Sequence, residues 1–136
     1  MGIKVLCLML LLHIIDDFHL QGILKEMKQK SWWLKQNGYK PLYENDYKMA
    51  LFIHSLSWSI MISLPVMLLM SGIPSWVIFY MILANTMLHY KIDDTKCNKM
   101  KISLMTDQLL HFLQIVLTWA VFEYCSILTY NSFELL

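Results

Sequence analysis

Four long apolar stretches follow one another along the chain and are separated by polar connections. Each is close to the ~20 residues that an α-helix needs to cross the hydrocarbon core of a bilayer. Pro65 predicts a kink within the second stretch, and Gly72 and Pro74 mark a tight break after it. The pattern predicts an all-α fold, a four-helix transmembrane bundle forming one membrane domain over residues 1–136. Its spans are residues 3–24, 47–70, 75–96 and 104–130.

The composition supports a membrane environment. Of the 136 residues, 57% are hydrophobic and 15% are charged, whereas soluble domains average about 45–50% and about 25%. A chain this small cannot hide so much apolar surface from water. The net charge is only +1 and no arginine is present, so nothing indicates a nucleic-acid partner. We therefore expect a lipid bilayer as the surroundings.

The lysines predict the orientation in the membrane. Residues 25–46 mix lysines with Trp32 and Trp33, which favours an interfacial segment, although a plain loop explains the composition equally well. Only Lys4 lies on the opposite side from the other lysines. By the positive-inside rule, we expect the first and third connections to be cytoplasmic and both termini to lie on the outer side of the membrane. Ten lysines lie in or beside these connections: Lys25, Lys28, Lys30, Lys35, Lys40, Lys48, Lys91, Lys96, Lys99 and Lys101.

Ionisable residues inside the spans form a repeated pattern. Three spans carry a histidine and an aspartate four residues apart, which places each pair on one helix face, and the second span adds a further histidine. The order reverses in the fourth span, as the alternating direction of the spans requires, so all pairs lie at one depth near the cytoplasmic side. These residues are His13, Asp17, His54, His89, Asp93, Asp107 and His111.

A divalent metal would explain this cluster. Three carboxylates with little cationic charge nearby are costly inside lipid, and imidazole with carboxylate is a ligand set for Zn, Mn or Fe. We predict one or two ions held by the seven residues, with Gln21, Gln108 and Lys96 supporting them. His19 lies off the shared face, and Asp16 and Asp94 are expected to be solvated. A metal-free histidine–aspartate network, structural or relaying protons, is the alternative, followed by unrelated helix-end residues.

The same motifs carry a resemblance to a known family. The segments HIIDDFHLQ (13–21), IHSL (53–56), HYKIDDTK (89–96) and DQLLH (107–111) resemble the domain of unknown function 3307 family. These are small integral membrane proteins of bacteria and their phages. The resemblance covers about residues 5–120. It implies a four-span protein with a shared polar core, Asp17 and Asp93 as the matching carboxylates, and a bacterial or phage source. It implies no activity.

Three functions fit the sequence. The first is a metal-dependent hydrolase acting at the cytoplasmic leaflet, for which we expect a lipid-linked substrate. Its catalytic residues are not assigned, and the metal is its cofactor. The second is a metal-ion or proton transport or relay protein, which with four short spans would need to form a homo-oligomer. The third is a phage or bacterial interaction protein that binds a host membrane protein and has a purely structural core.

The predicted orientation can be tested through Cys97, which lies in the third connection. In a Cys7→Ser/Cys125→Ser variant it is the sole thiol. We expect a membrane-impermeant maleimide to label it in inverted vesicles and to leave it unlabelled in right-side-out vesicles. Labelling from the outside would reverse the orientation.

Overall fold

The computed structural model describes residues 2–37 and 41–134 and shows only helices and turns in these ranges. This confirms the predicted all-α class. A π-helical turn, Asp16–Leu20, follows the first helix, and a 3₁₀ turn, Pro41–Tyr43, precedes the fourth. The helices are α1 (Gly2–Ile15), α2 (Leu24–Met27), α3 (Lys30–Asn37), α4 (Asp46–Leu69), α5 (Ser75–Cys97) and α6 (Leu104–Glu134).

Two of the helices are long and apolar enough to cross a membrane, namely α4 and the Leu104–Thr129 part of α6. Helix α1 has only 14 residues before the π turn. Helix α5 is long enough, but polar residues such as Asn85 and His89 interrupt its apolar run. The four-span arrangement therefore rests on the sequence pattern alone.

The four long helices form a ring in which α1 and α5 each pack between α4 and α6. Trp58, at 0% exposure, lies at the centre of the apolar core. Large apolar side chains also cover the outside of all four helices, for example Leu11, Leu68, Phe79 and Leu117. An outer surface of this kind is unfavourable in water and is typical of a bundle surrounded by lipid. The core also contains Val5, Met9, Ile62, Val66, Val77, Ile115 and Phe122.

The π turn changes the first predicted span. The regular helix ends at Ile15 instead of continuing to residue 24, and the following turn is wider than an α-helical turn. Asp16 is buried there at 3% exposure, and its Oδ1 accepts a hydrogen bond from Ser57 Oγ at 3.0 Å. The expectation of a solvated Asp16 is wrong because this turn directs it against α4.

The polar connections are ordered by local contacts. Trp33 donates from Nε1 to the Met27 carbonyl at 2.7 Å and stacks on Tyr43. At the end of α5, Asp94 is partly exposed and pairs with Lys99 at 2.7 Å. This hydrogen bond raises the pKa of the Lys99 ammonium above its ordinary value. The interfacial position of residues 25–46 stays a prediction.

The turn between α4 and α5 depends on Gly72, whose φ is +81° and whose missing Cβ would lie 3.1 Å from Thr129 Oγ1 on α6. We expect Gly72→Ala to destabilise the protein by about 1–2 kcal/mol through the left-handed backbone, and further through this contact. Gly22→Ala is the matched control, since its φ is +50° and nothing lies within 4 Å. Thermal unfolding in detergent should show the larger loss for Gly72→Ala; equal losses would refute the contact's role.

Candidate metal centre

The carboxylate of Asp93 on α5 is the centre of the polar cluster and is almost fully buried. The Nε2 atom of His111 lies 3.2 Å from its Oδ1. The Nε2 atoms of His54 and His89 lie 3.3 and 3.8 Å from its Oδ2. The ammonium of Lys28 donates to the same Oδ2 at 2.6 Å. Three imidazoles from three helices and one ammonium group thus meet at one carboxylate.

Two groups of side chains in this cluster could hold a metal ion. One consists of Asp17, His54 and His89, and the other of His89, Asp93 and His111, with ligand atoms within 4.8 Å of one another in each. His54 and His89 approach to 3.1 Å between their Nε2 atoms. Ligands at about 2.0–2.2 Å from a tetrahedral ion lie roughly 3.3 Å apart, so these separations suit one ion. His89 belongs to both groups.

Aromatic stacking fixes the two deepest imidazoles. Trp58 stacks on His89 with ring centroids 4.3 Å apart, and His89 stacks on His111 at 4.1 Å. The Nδ1 atoms of both histidines are buried without a hydrogen-bond partner among the residues that the structure describes. Metal-bound histidines usually donate this second ring N–H to an acceptor. The aromatic stack and the contacts of the Nε2 atoms, rather than a hydrogen bond at Nδ1, therefore orient both rings.

His13 lies outside both groups and orients a glutamine instead. Trp58 donates from Nε1 to His13 Nδ1 at 2.8 Å, so the neutral imidazole carries its proton on Nε2. That nitrogen donates to Gln108 Oε1 at 3.2 Å. The Gln108 amide then donates to Asp17 Oδ2 at 3.0 Å and to Asp107 Oδ2 at 3.1 Å. Trp58 thereby fixes the position of two carboxylates through His13 and Gln108.

Lysines neutralise two of the three carboxylates. Lys96, a predicted supporting residue, donates to Asp107 Oδ2 at 2.6 Å, and Lys28 pairs with Asp93 at the same distance. Asn98 holds the Lys28 segment, because its Nδ2 donates to the Lys28 carbonyl at 3.2 Å and its Oδ1 accepts from the Lys30 amide. The expectation of little cationic charge near the carboxylates is therefore wrong.

The structure brings all seven predicted ligands into one cluster, but only five lie in the two groups. Asp107 stands apart like His13, with its Oδ1 3.5 Å from His111 Nε2. The predicted supporting residues Gln21 and Gln108 both donate to Asp17. His19 is exposed, as its position off the shared face indicates. Metal binding by the seven residues stays a prediction.

Sequence reasoning missed Lys28, Asn98 and Trp58. Lys28 has four neighbouring lysines in residues 25–40 and nothing local distinguishes it from them. Trp58 lies within a predicted apolar span, and its indole N–H contact depends on tertiary structure. No periodicity in the sequence indicates either contact.

A cavity of about 520 Å³ leads to the cluster from the side of the first and third connections. Asp17 and Gln108 line it together with Lys25, Lys28 and Lys96. The cavity thus reaches the Asp17 side of the cluster, whereas His54, His89, Asp93 and His111 do not line it.

The chain matches no family model, no curated protein and no solved structure. The resemblance to the domain of unknown function 3307 family stays a prediction, and the function must be inferred from the site itself.

The Lys28–Asp93 pair can be tested through stability. Lys28→Gln leaves a buried carboxylate without its cation, so we expect a loss of about 3–5 kcal/mol. Lys30→Gln is the matched control, since its 3.8 Å pair with Glu44 is largely exposed and should contribute below about 1 kcal/mol.

Thermal unfolding in detergent measures both variants. Adding Asp93→Asn to Lys28→Gln should restore much of the lost stability, because it removes the unpaired charge. Equal melting temperatures for Lys28→Gln and Lys30→Gln would contradict the buried pair.

Proposed function

We propose that this chain is an integral membrane protein that binds a divalent metal ion at the Asp93 cluster and uses it for hydrolysis at the cytoplasmic leaflet. The observation that carries the proposal is the convergence of three Nε2 atoms, from His54, His89 and His111, on the Asp93 carboxylate. Three helices contribute to one small, buried set of nitrogen and oxygen ligands. Zn, Mn and Fe are the metals that such a set suits.

The second group is the better site for a first ion. His89, Asp93 and His111 supply two nitrogens and one carboxylate, and three protein ligands leave a position for water, as in hydrolytic metal sites. The ammonium of Lys28 donates a hydrogen bond to Asp93 Oδ2, whereas His111 Nε2 lies next to Oδ1. Binding through Oδ1 keeps the ion apart from the ammonium charge.

Asp17 is suited to the role of general base. A bound metal would lower the pKa of a coordinated water to about 7. Asp17 lies beside His54, at 3.6 Å between Oδ1 and Nε2, and lines the cavity. Its Oδ2 is held by Gln108. A carboxylate fixed between the cluster and the cavity can accept a proton from water there. Asp17 and His54 would alternatively hold a second ion.

The distribution of lysines supports a position of the site at the cytoplasmic leaflet. The cavity opens among lysines of the two connections that the positive-inside rule assigns to the cytoplasm. The apolar outer surface of the bundle and the two apolar helices α4 and α6 support a bilayer position. The site would then lie close to the headgroups of the inner leaflet.

A relay or transport function is the second candidate, and polar contacts beyond the cluster favour it. One turn from His89, Asn85 accepts hydrogen bonds from Gln114 at 2.8 Å and from Thr118 at 3.0 Å. On α4, Ser59 and Ser63 are also fully buried. Buried polar groups inside a membrane bundle often mark an ion or proton path.

Metal content distinguishes the proposed metal-dependent function from a proton relay. We expect elemental analysis of detergent-purified protein to find about one or two ions of Zn, Mn or Fe per chain. His89→Ala should lose the metal, because His89 belongs to both groups. His19→Ala is the matched control and should retain it, since His19 is exposed and lies outside the cluster. His13→Ala should lose less metal than His89→Ala.

Absence of metal from the wild-type protein, or equal metal content in His89→Ala and His19→Ala, would overturn the proposal. The relay function would then be the better explanation of the cluster.

A further inference from the structure

We propose that the cavity beside the cluster binds the phosphate group of a membrane lipid, which is the substrate class of the site. The inference rests on the proposed function, since the metal ion supplies part of the positive charge that the phosphate needs. Three observations carry it: the lysines at the cavity, the charge balance of the cluster, and a cavity wall that contains both polar and apolar side chains.

The lysines supply hydrogen-bond donors at the cavity. Lys28 and Lys96 each direct one N–H to a carboxylate, and an ammonium group has three such donors. Lys25 borders the same cavity, is exposed, and pairs with no carboxylate in the part of the chain that the structure describes. Lysine is a common point-charge ligand for phosphate. Lys25 is therefore free to bind an incoming anion.

A bound metal ion would add to the positive charge that an anion meets at the cavity. With neutral imidazoles, the carboxylates of Asp17, Asp93 and Asp107 exceed the ammonium groups of Lys28 and Lys96 by one negative charge. A divalent ion converts this into one positive charge, and Lys25 at the cavity adds a second. A phosphate monoester carries about 1.5–2 negative charges at neutral pH. With metal-bound, neutral imidazoles the loaded site thus complements the charge of a phosphate monoester.

The lining of the cavity favours a lipid over free phosphate. Its volume of about 520 Å³ lies within the range of roughly 300–1,000 Å³ typical of ligand pockets. Gln21 and Gln108 form a polar part of the cavity wall. Phe18 and Leu104 form an apolar edge of the cavity, and each is more than half exposed. Acyl chains would contact this apolar edge while the phosphate enters between the lysines. Free phosphate would gain nothing from it.

Isothermal titration calorimetry with dihexanoyl phosphatidic acid tests the inference on purified protein whose metal content is measured in the same sample. We expect saturable binding that weakens about tenfold or more after metal removal with a chelator. Lys25→Gln should weaken binding about tenfold, the order expected for one charge-assisted contact. Lys35→Gln is the matched control, because it removes the same charge from the same connection without lining the cavity. Inorganic phosphate should bind more weakly than the lipid.

The outcomes separate this inference from the proposed function. Metal without lipid binding, or equal effects of Lys25→Gln and Lys35→Gln, would overturn the phosphate site and leave the metal centre standing. Lipid binding through Lys25 that is equally tight in protein without metal would contradict the metal dependence of this site and the metal-dependent function, and would leave only an anion site at the cavity. Neither metal nor lipid binding would overturn both. Binding of inorganic phosphate as tight as that of the lipid would overturn the assignment to a lipid.

Discussion

A buried carboxylate in an apolar bundle must be compensated, and the compensation of Asp93 organises the polar half of this protein. Burying an unpaired charge costs several kcal/mol, and here one ammonium and three imidazoles surround the carboxylate. The partners come from the first connection and from α4, α5 and α6. Compensation of the Asp93 charge therefore constrains the position of each of these elements. The stacking of Trp58 on His89 further orients the His89 imidazole.

The need to compensate the charge of Asp93 also gives the first connection a structural role. Lys28 is buried although it lies in a polar, lysine-rich segment, and Asn98 ties its backbone to the end of α5. The two connections that the charge pattern assigns to one membrane face are thus joined to each other and to the cluster. A segment whose composition suits the membrane surface serves here as part of the wall of the cavity, and this position places Lys25 at the cavity mouth.

Helical periodicity predicted that the paired histidines and carboxylates lie close together, whereas tertiary contacts determine which of them share a metal group. The four-residue spacing of His89 and Asp93 and the reversed order of Asp107 and His111 place them at one level, as the structure shows. The burial of Lys28 could not be predicted, because its segment has no periodicity and its partner lies 65 residues away. The proton position on His13 depends on an indole from another helix, which spacing does not reveal.

The π turn at Asp16–Leu20 contains one residue more than a regular α-helical turn. This extra residue determines the rotation of α1 about its own axis. Successive residues of a regular α-helix are about 100° apart around the axis, so the extra residue changes which side of the helix faces the bundle. A one-residue deletion within the turn would rotate α1 about its own axis relative to the cluster. Val5 and Met9 would then leave the core, although no side chain in α1 itself had been altered. The packing of α1 thus depends on the number of residues in the π turn as well as on the side chains of the helix.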